Sequence, residues 1–116
     1  MENRDELNGH LVKSFLDIIV LMLLRDSPQH GYRIIAKIHK QFGVLLSPGT
    51  LYPLLYGLEK EGWVEVTDVD RKKVYSLTPK GAENLKFLSE SYLKMFKKMA
   101  KLIVIGGLRI TPEIQS

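Results

Sequence analysis

Four of the five prolines in this 116-residue chain follow a serine or threonine: Ser27-Pro28, Ser47-Pro48, Thr78-Pro79 and Thr111-Pro112. A Ser or Thr side chain caps the open N–H groups of a helix, and proline fits the first helical position, so such a pair reads as a helix start. The first three pairs precede stretches with helical spacing. The fourth lies close to the C-terminus and reads as the beginning of a tail.

Hydrophobic spacing fills in the elements. Leu7, Leu11, Phe15, Ile18 and Met22 form one stripe of a helix expected over residues 7–25. Val12, Leu16, Ile19, Val20, Leu23 and Leu24 form a second stripe on it. A helix apolar on two faces is buried on both, which points to a subunit contact as well as a core. A second helix is expected over 29–41, with Ile34, Ile35, Ile38 and Phe42 on one side and Arg33, Lys37 and Lys40 on the other. A third is expected over 47–61, with Leu51, Leu54, Leu55 and Leu58 facing inward. Gly62 is placed as its left-handed stop and Trp63 as the residue that closes a Schellman cap on Leu58. Pro53 lacks an N–H and crowds the carbonyl of Gly49, so a distorted helix start is expected. Residues 63–67 and 74–78 read as strands, joined by 68–73 with Arg71-Lys72-Lys73 near the tip, a β-hairpin with a basic end. Thr78-Pro79 opens a fourth helix to about Ile105. Along it, Leu85, Leu88, Tyr92, Met95, Met99 and Leu102 recur at alternating steps of three and four, a heptad seam. Gly106-Gly107 is placed to end it.

Composition narrows the function classes. With 45% hydrophobic and 26% charged residues, the chain is neither a disordered nor a charge-block polymer. It has no cysteine, which excludes disulfides, zinc fingers, iron–sulfur ligation and thiol catalysis, and makes the cytoplasm the default location. No signal-peptide start is expected, because residues 1–9 are polar and hold Glu2, Asp5 and Glu6. The apolar runs 18–24 and 102–108 have seven residues each, far short of the roughly 20 that span a bilayer, so no membrane partner is expected. No metal or cofactor is expected either. His30 and His39 fall on opposite faces of the second helix, and His30 reads as a helix-start or packing residue. His10, Ser14 and Asp17 share one helix face and cannot be oriented as a catalytic triad, so the chain is not read as an enzyme.

The order of helix, helix, short connection, helix, hairpin and long helix predicts a mainly α fold with a small β-hairpin: a winged helix-turn-helix plus a long C-terminal dimerisation helix. The expected division is an N-terminal extension (1–9), the winged domain (10–78), the dimerisation helix (79–107) and a tail (108–116). Over residues 11–82 the chain resembles the PadR family of transcriptional regulators. The resemblance rests on His30-Gly31-Tyr32, Gly49-Thr50-Leu51-Tyr52-Pro53-Leu54-Leu55, Leu58-Glu59-Lys60-Glu61-Gly62-Trp63, and Arg71-Lys72-Lys73-Val74-Tyr75-Ser76-Leu77-Thr78 with Gly81. It implies a dimeric, DNA-binding, repressor-type protein of the family's short branch. Some short members bind flat aromatic compounds on a tryptophan of the last helix. The single tryptophan here, Trp63, lies instead in the winged domain.

The residues point the same way. The outer side of the third helix carries Gly49, Pro53, Tyr56 and Lys60, flanked by Thr50 and Tyr52. Tyrosine hydroxyls suit phosphates and base edges, and their rings suit thymine methyls, although either ring can instead pack on the wing or first helix. Ser47 and Thr50 are caps that also suit a phosphate. Arg33 and Lys37 lie where the first helix of such a motif crosses the backbone, and Arg71, Lys72 and Lys73 are adjacent cations suited to phosphate. The expected partners are double-stranded DNA and a second copy of the chain. Leu11, Phe15, Leu85, Leu88, Tyr92, Met95, Phe96, Met99 and Leu102 are expected at the homodimer interface. Phe15, Tyr92 and Phe96 either line a site for a small hydrophobic effector or fill the interface core. The rival is a winged helix that binds protein and not DNA.

Overall fold

A computed structural model describes residues 4–105. Its elements, in chain order, are α1 (Arg4–Ser14), α2 (Leu16–Asp26), β1 (Gln29–His30), α3 (Gly31–Phe42), α4 (Pro48–Lys60), β2 (Val64–Val69), β3 (Lys72–Leu77) and α5 (Pro79–Ile105). The chain divides into two compact units, Met1–Leu85 and Lys86–Ser116, with the division falling inside α5. The mainly helical fold with a small sheet, a winged helix-turn-helix followed by a long helix, is as the spacing predicts.

The first unit is built on the side chains of Val20, Leu21, Ile34, Ile38, Leu51, Leu55 and Val64, which are the most deeply buried. They come from α2, α3, α4 and β2, so the helix-turn-helix and the wing share one core. At the end of α4, Gly62 takes φ +78° and its N–H bonds to the Glu59 carbonyl, while Trp63 N–H bonds to the Leu58 carbonyl at 2.9 Å. That is the expected Schellman cap. Thr78 caps α5: its Oγ1 accepts from Gly81 N–H at 3.0 Å and donates to the Gly62 carbonyl at 2.6 Å. The foot of the wing, the end of α4 and the start of α5 are thereby tied into one knot.

Four expectations are corrected. The single first helix is two helices meeting at 71° around Phe15. Ser14 donates its hydroxyl back to the His10 carbonyl at 2.9 Å, and Phe15 N–H is shared between the carbonyls of Leu11 and Val12. Back-bonding of this kind bends helices. Beyond the bend, Asp17 accepts from Ile18 N–H at 2.8 Å, a local bond that restarts the chain.

The Ser27-Pro28 pair does not start a helix. Ser27 ends α2, with its N–H on the Leu23 carbonyl. Gln29, buried, donates Nε2 to the carbonyls of Leu23 (2.8 Å) and Ser27 (3.2 Å), which occupies the open end of α2. Gln29 and His30 then form β1, paired antiparallel with Tyr75 and Val74, and α3 begins at Gly31. The wing is therefore part of a three-stranded sheet ordered β1-β3-β2.

The hairpin strands are longer than the alternation suggests. Val69 pairs with Lys72, leaving only Asp70 and Arg71 in the turn, at φ 49° and 65°. Two left-handed residues in a row give the twist that joins paired strands. Lys72 and Lys73 consequently belong to β3 and not to a loop. Finally, α1 begins at Arg4, three residues ahead of the helix start expected at residue 7. Gly106-Gly107, Thr111-Pro112 and the tail lie outside the described residues.

Candidate nucleic-acid interface

The site is a groove between the start of α3 and the wing. His30, Tyr32, Tyr52, Arg71, Lys72 and Lys73 line it, enclosing about 370 Å³. β1 makes this arrangement: by pairing with β3 it fixes the first turn of α3 beside the basic strand.

Tyr52 projects from α4 onto Gly31. A methyl group at Gly31 would overlap the Tyr52 hydroxyl and would stand 2.5 Å from Cζ and 2.9 Å from Cε1 of its ring, so only glycine lets the ring lie there. Tyr32 meets Tyr52 edge to face, with ring centres 6.4 Å apart and planes at 68°. Burial, and then the neighbouring Tyr32, push the Tyr52 phenol above its ordinary value near 10. Tyr75 is raised too, by burial first, then by Tyr52 and Glu59. Both hydroxyls are thus held as proton donors throughout the physiological range.

Tyr52 combines the two roles open to it in the sequence. It is half-buried against α3, and it also faces the groove. The Gly31 contact makes a specific expectation. Gly31→Ala should cost about 2 kcal/mol, as overpacking does, and should displace Tyr52. In a Tyr52→Ala background the same change should be neutral or mildly stabilising, since alanine is the better helix former. Urea unfolding of the four proteins measures this coupling. Additive effects would show that the ring does not lie on Gly31.

The other candidates are placed as follows. Ser47 occupies the N-cap of α4, but its hydroxyl bonds to that of Thr50 at 3.1 Å and not to a backbone N–H. Gly49, Pro53 and Tyr56 are exposed along α4, and the Lys60 ammonium sits 5.5 Å from the centre of the Tyr56 ring. α4 runs unbroken through Pro53. Arg33 is exposed on α3 but does not line the groove. Lys37 lies with Lys40, Gln41, Leu23 and Asp26 around a separate hollow of about 480 Å³. The structure therefore brings Tyr52 together with the wing cations and leaves Arg33 and Lys37 apart from them. It adds His30, which the sequence reads as a helix-start or packing residue, and Tyr32, which the sequence shows only as part of a motif.

The family profile described as "Transcriptional regulator PadR-like family" matches residues 20–87, more than half of the chain. The chain belongs to this family. The PadR-like match spans both helices of the motif, the wing and the start of α5. Among curated proteins, the transcriptional activator GvpE1 of Halobacterium salinarum is 40% identical over 75 residues, covering 62% of this chain and 39% of that protein. The activator GvpE of Haloferax mediterranei is 38% identical over 74 residues, covering 62% and 38%. The chain thus spans about two fifths of the length of these relatives. A PadR-like transcriptional regulator from Bacillus cereus superposes with TM-score 0.75 at 26% identity, covering 81% of this chain and 96% of that one. A PadR family transcription regulator from Clostridium difficile shares the fold at TM-score 0.72 and 21% identity, covering 77% and 98%.

Proposed function

We propose that this PadR-like chain binds DNA as a homodimer at an inverted-repeat operator and represses transcription by occupying the promoter. One observation carries the reading: two tyrosines and three cations from separate elements converge on the same groove beside α4. Three adjacent like charges repel one another unless an anion lies near, and a phosphate backbone supplies one. The basic overall balance, +4 with a sequence pI of 9.3, acts in the same direction. In this reading α4 enters the major groove with Gly49, Thr50, Pro53 and Tyr56 toward the bases. The wing and the α3 start set register on phosphates. Ser47 and Arg33 would contact the flanking backbone, and Lys37 would meet it at longer range.

The second copy is supported by the far part of α5. Met95, Met99 and Leu102, all on the heptad seam, are exposed, as is Phe96 in a flanking position. Leu88 and Tyr92 are half-buried, Leu11 of α1 is exposed, and Leu85 is buried. An apolar stripe of this length is covered in solution by a like stripe. A hydrophobic effector would act there. Tyr92 and Phe96 stack with ring centres 6.1 Å apart and planes at 19°. An effector that altered the pairing of two copies would misplace both α4 helices together.

Selection of bound sites from random duplexes tests the proposal. The expected result is two inverted copies of one motif with centres about 10–10.5 base pairs apart, bound by two protomers. Affinity should fall steeply with salt. No enrichment, or binding to protein that ignores salt, would overturn it in favour of a protein-interaction module. In vitro transcription from a promoter overlapping the selected site then gives the sign. Output should fall, and a rise would place this chain with the activators it resembles.

A further inference from the structure

His30 belongs to three structural features at once. It closes β1 opposite Val74, it caps α3, and it lines the groove between Tyr32 and the wing cations. The cap is made by the ring: Nδ1 accepts the Arg33 backbone N–H at 3.3 Å. An imidazole nitrogen that accepts carries no proton, so the neutral ring must hold its proton on Nε2. The capping bond therefore fixes the tautomer and leaves an N–H donor as the polar group of this side chain in the groove. The other residues lining the groove are Tyr32, Tyr52, Arg71, Lys72 and Lys73. None of the lining side chains is a carboxylate, so the groove offers donors to an acceptor that brings its own negative charge.

We propose that His30 Nε2–H is a phosphate-positioning donor, contacting one backbone phosphate of the operator while Nδ1 caps α3. This rests on the DNA-binding reading above and adds to it a residue with a distinct signature. A lysine or arginine at a phosphate contributes through charge and raises the salt slope. A neutral imidazole donor contributes a directed hydrogen bond and leaves the slope unchanged.

His30→Asn separates the roles, since asparagine caps a helix well but is too short to carry the groove donor. The expected loss is about threefold per protomer, or about tenfold for a dimer on its operator, at pH 7.5. The salt slope and unfolding midpoint should stay those of the parent. Lys73→Ala, measured alongside, should lower the slope. Nitrogen-15 correlation spectra of the imidazoles should show His30 as the Nε2–H tautomer in the free protein. Its Nε2 resonance should shift when a duplex operator is added. Parental affinity in His30→Asn, or an Nδ1–H tautomer, refutes the inference even if DNA binds well. If the parent itself binds no duplex, the DNA-binding reading fails, a separate outcome.

Discussion

Alanine at Gly81 is expected to destabilise the fold by about 3 kcal/mol or more, a drop in Tm of roughly 10 °C. A Cβ there would overlap the Trp63 carbonyl and stand 2.8 Å from Leu77 Cδ1. The Leu77 methyl can turn aside, but the Trp63 carbonyl is backbone and cannot yield cheaply. The Trp63 carbonyl accepts Thr78 N–H at 3.1 Å, and Trp63 N–H holds the Schellman cap of α4. Moving Trp63 thus loosens the end of the candidate recognition helix and the foot of the wing together. The same substitution at Gly57 should do the opposite. Nothing lies within 4 Å of a Cβ at Gly57, inside α4, and alanine there should stabilise by about 0.5–1 kcal/mol. Urea unfolding of both variants is the check. A Gly81→Ala protein as stable as its parent would show that α5 does not start against the Trp63 backbone.

Removing two charges from the wing has the largest expected effect on binding. Lys72→Ala with Lys73→Ala should weaken operator and non-specific duplex alike, by about a hundredfold at 0.1 M salt. It should reduce the slope of log K against log salt by about 3–4 for a dimer, close to 0.9 for each phosphate no longer neutralised. Both lysines lie on β3, where they pair with Val69 and Asp68, and both line the groove. Their loss leaves the core untouched, because both are exposed. Tyr52→Ala should behave differently, with a smaller loss of affinity and a narrowed gap between operator and random sequence. Fluorescence anisotropy over a salt series reads both. An unchanged slope in the lysine variant would remove the wing from the interface.

Much of this molecule is legible where a residue's role is decided by its near neighbours. Ser47-Pro48 and Gly62-Trp63 bracket α4, and the alternation of residues 63–67 marks β2, because caps and pleats are local. The bend at Phe15 is hidden because the apolar stripes continue on both sides of it. The break comes from a hydroxyl bonding to the carbonyl one turn back and a carboxylate accepting from the next residue's N–H. β1 is hidden because two residues cannot display a period. Its pairing with β3 depends on a strand more than forty residues further along. Tyr52 stands out in the sequence as a candidate, but its seat does not. The space it fills exists only because Gly31, in another helix, has no side chain.

That two-residue strand has a mechanical consequence. Because Gln29 and His30 are hydrogen-bonded to β3 and lead straight into α3, the hairpin cannot hinge against the helical motif as an independent arm. In the proposed DNA-binding role, the candidate recognition helix and the basic wing turn as one casting. When operators differ in groove width or local bend, a casting of this kind leaves the duplex to deform. Discrimination among sites should then follow base-step stiffness at positions that no side chain touches.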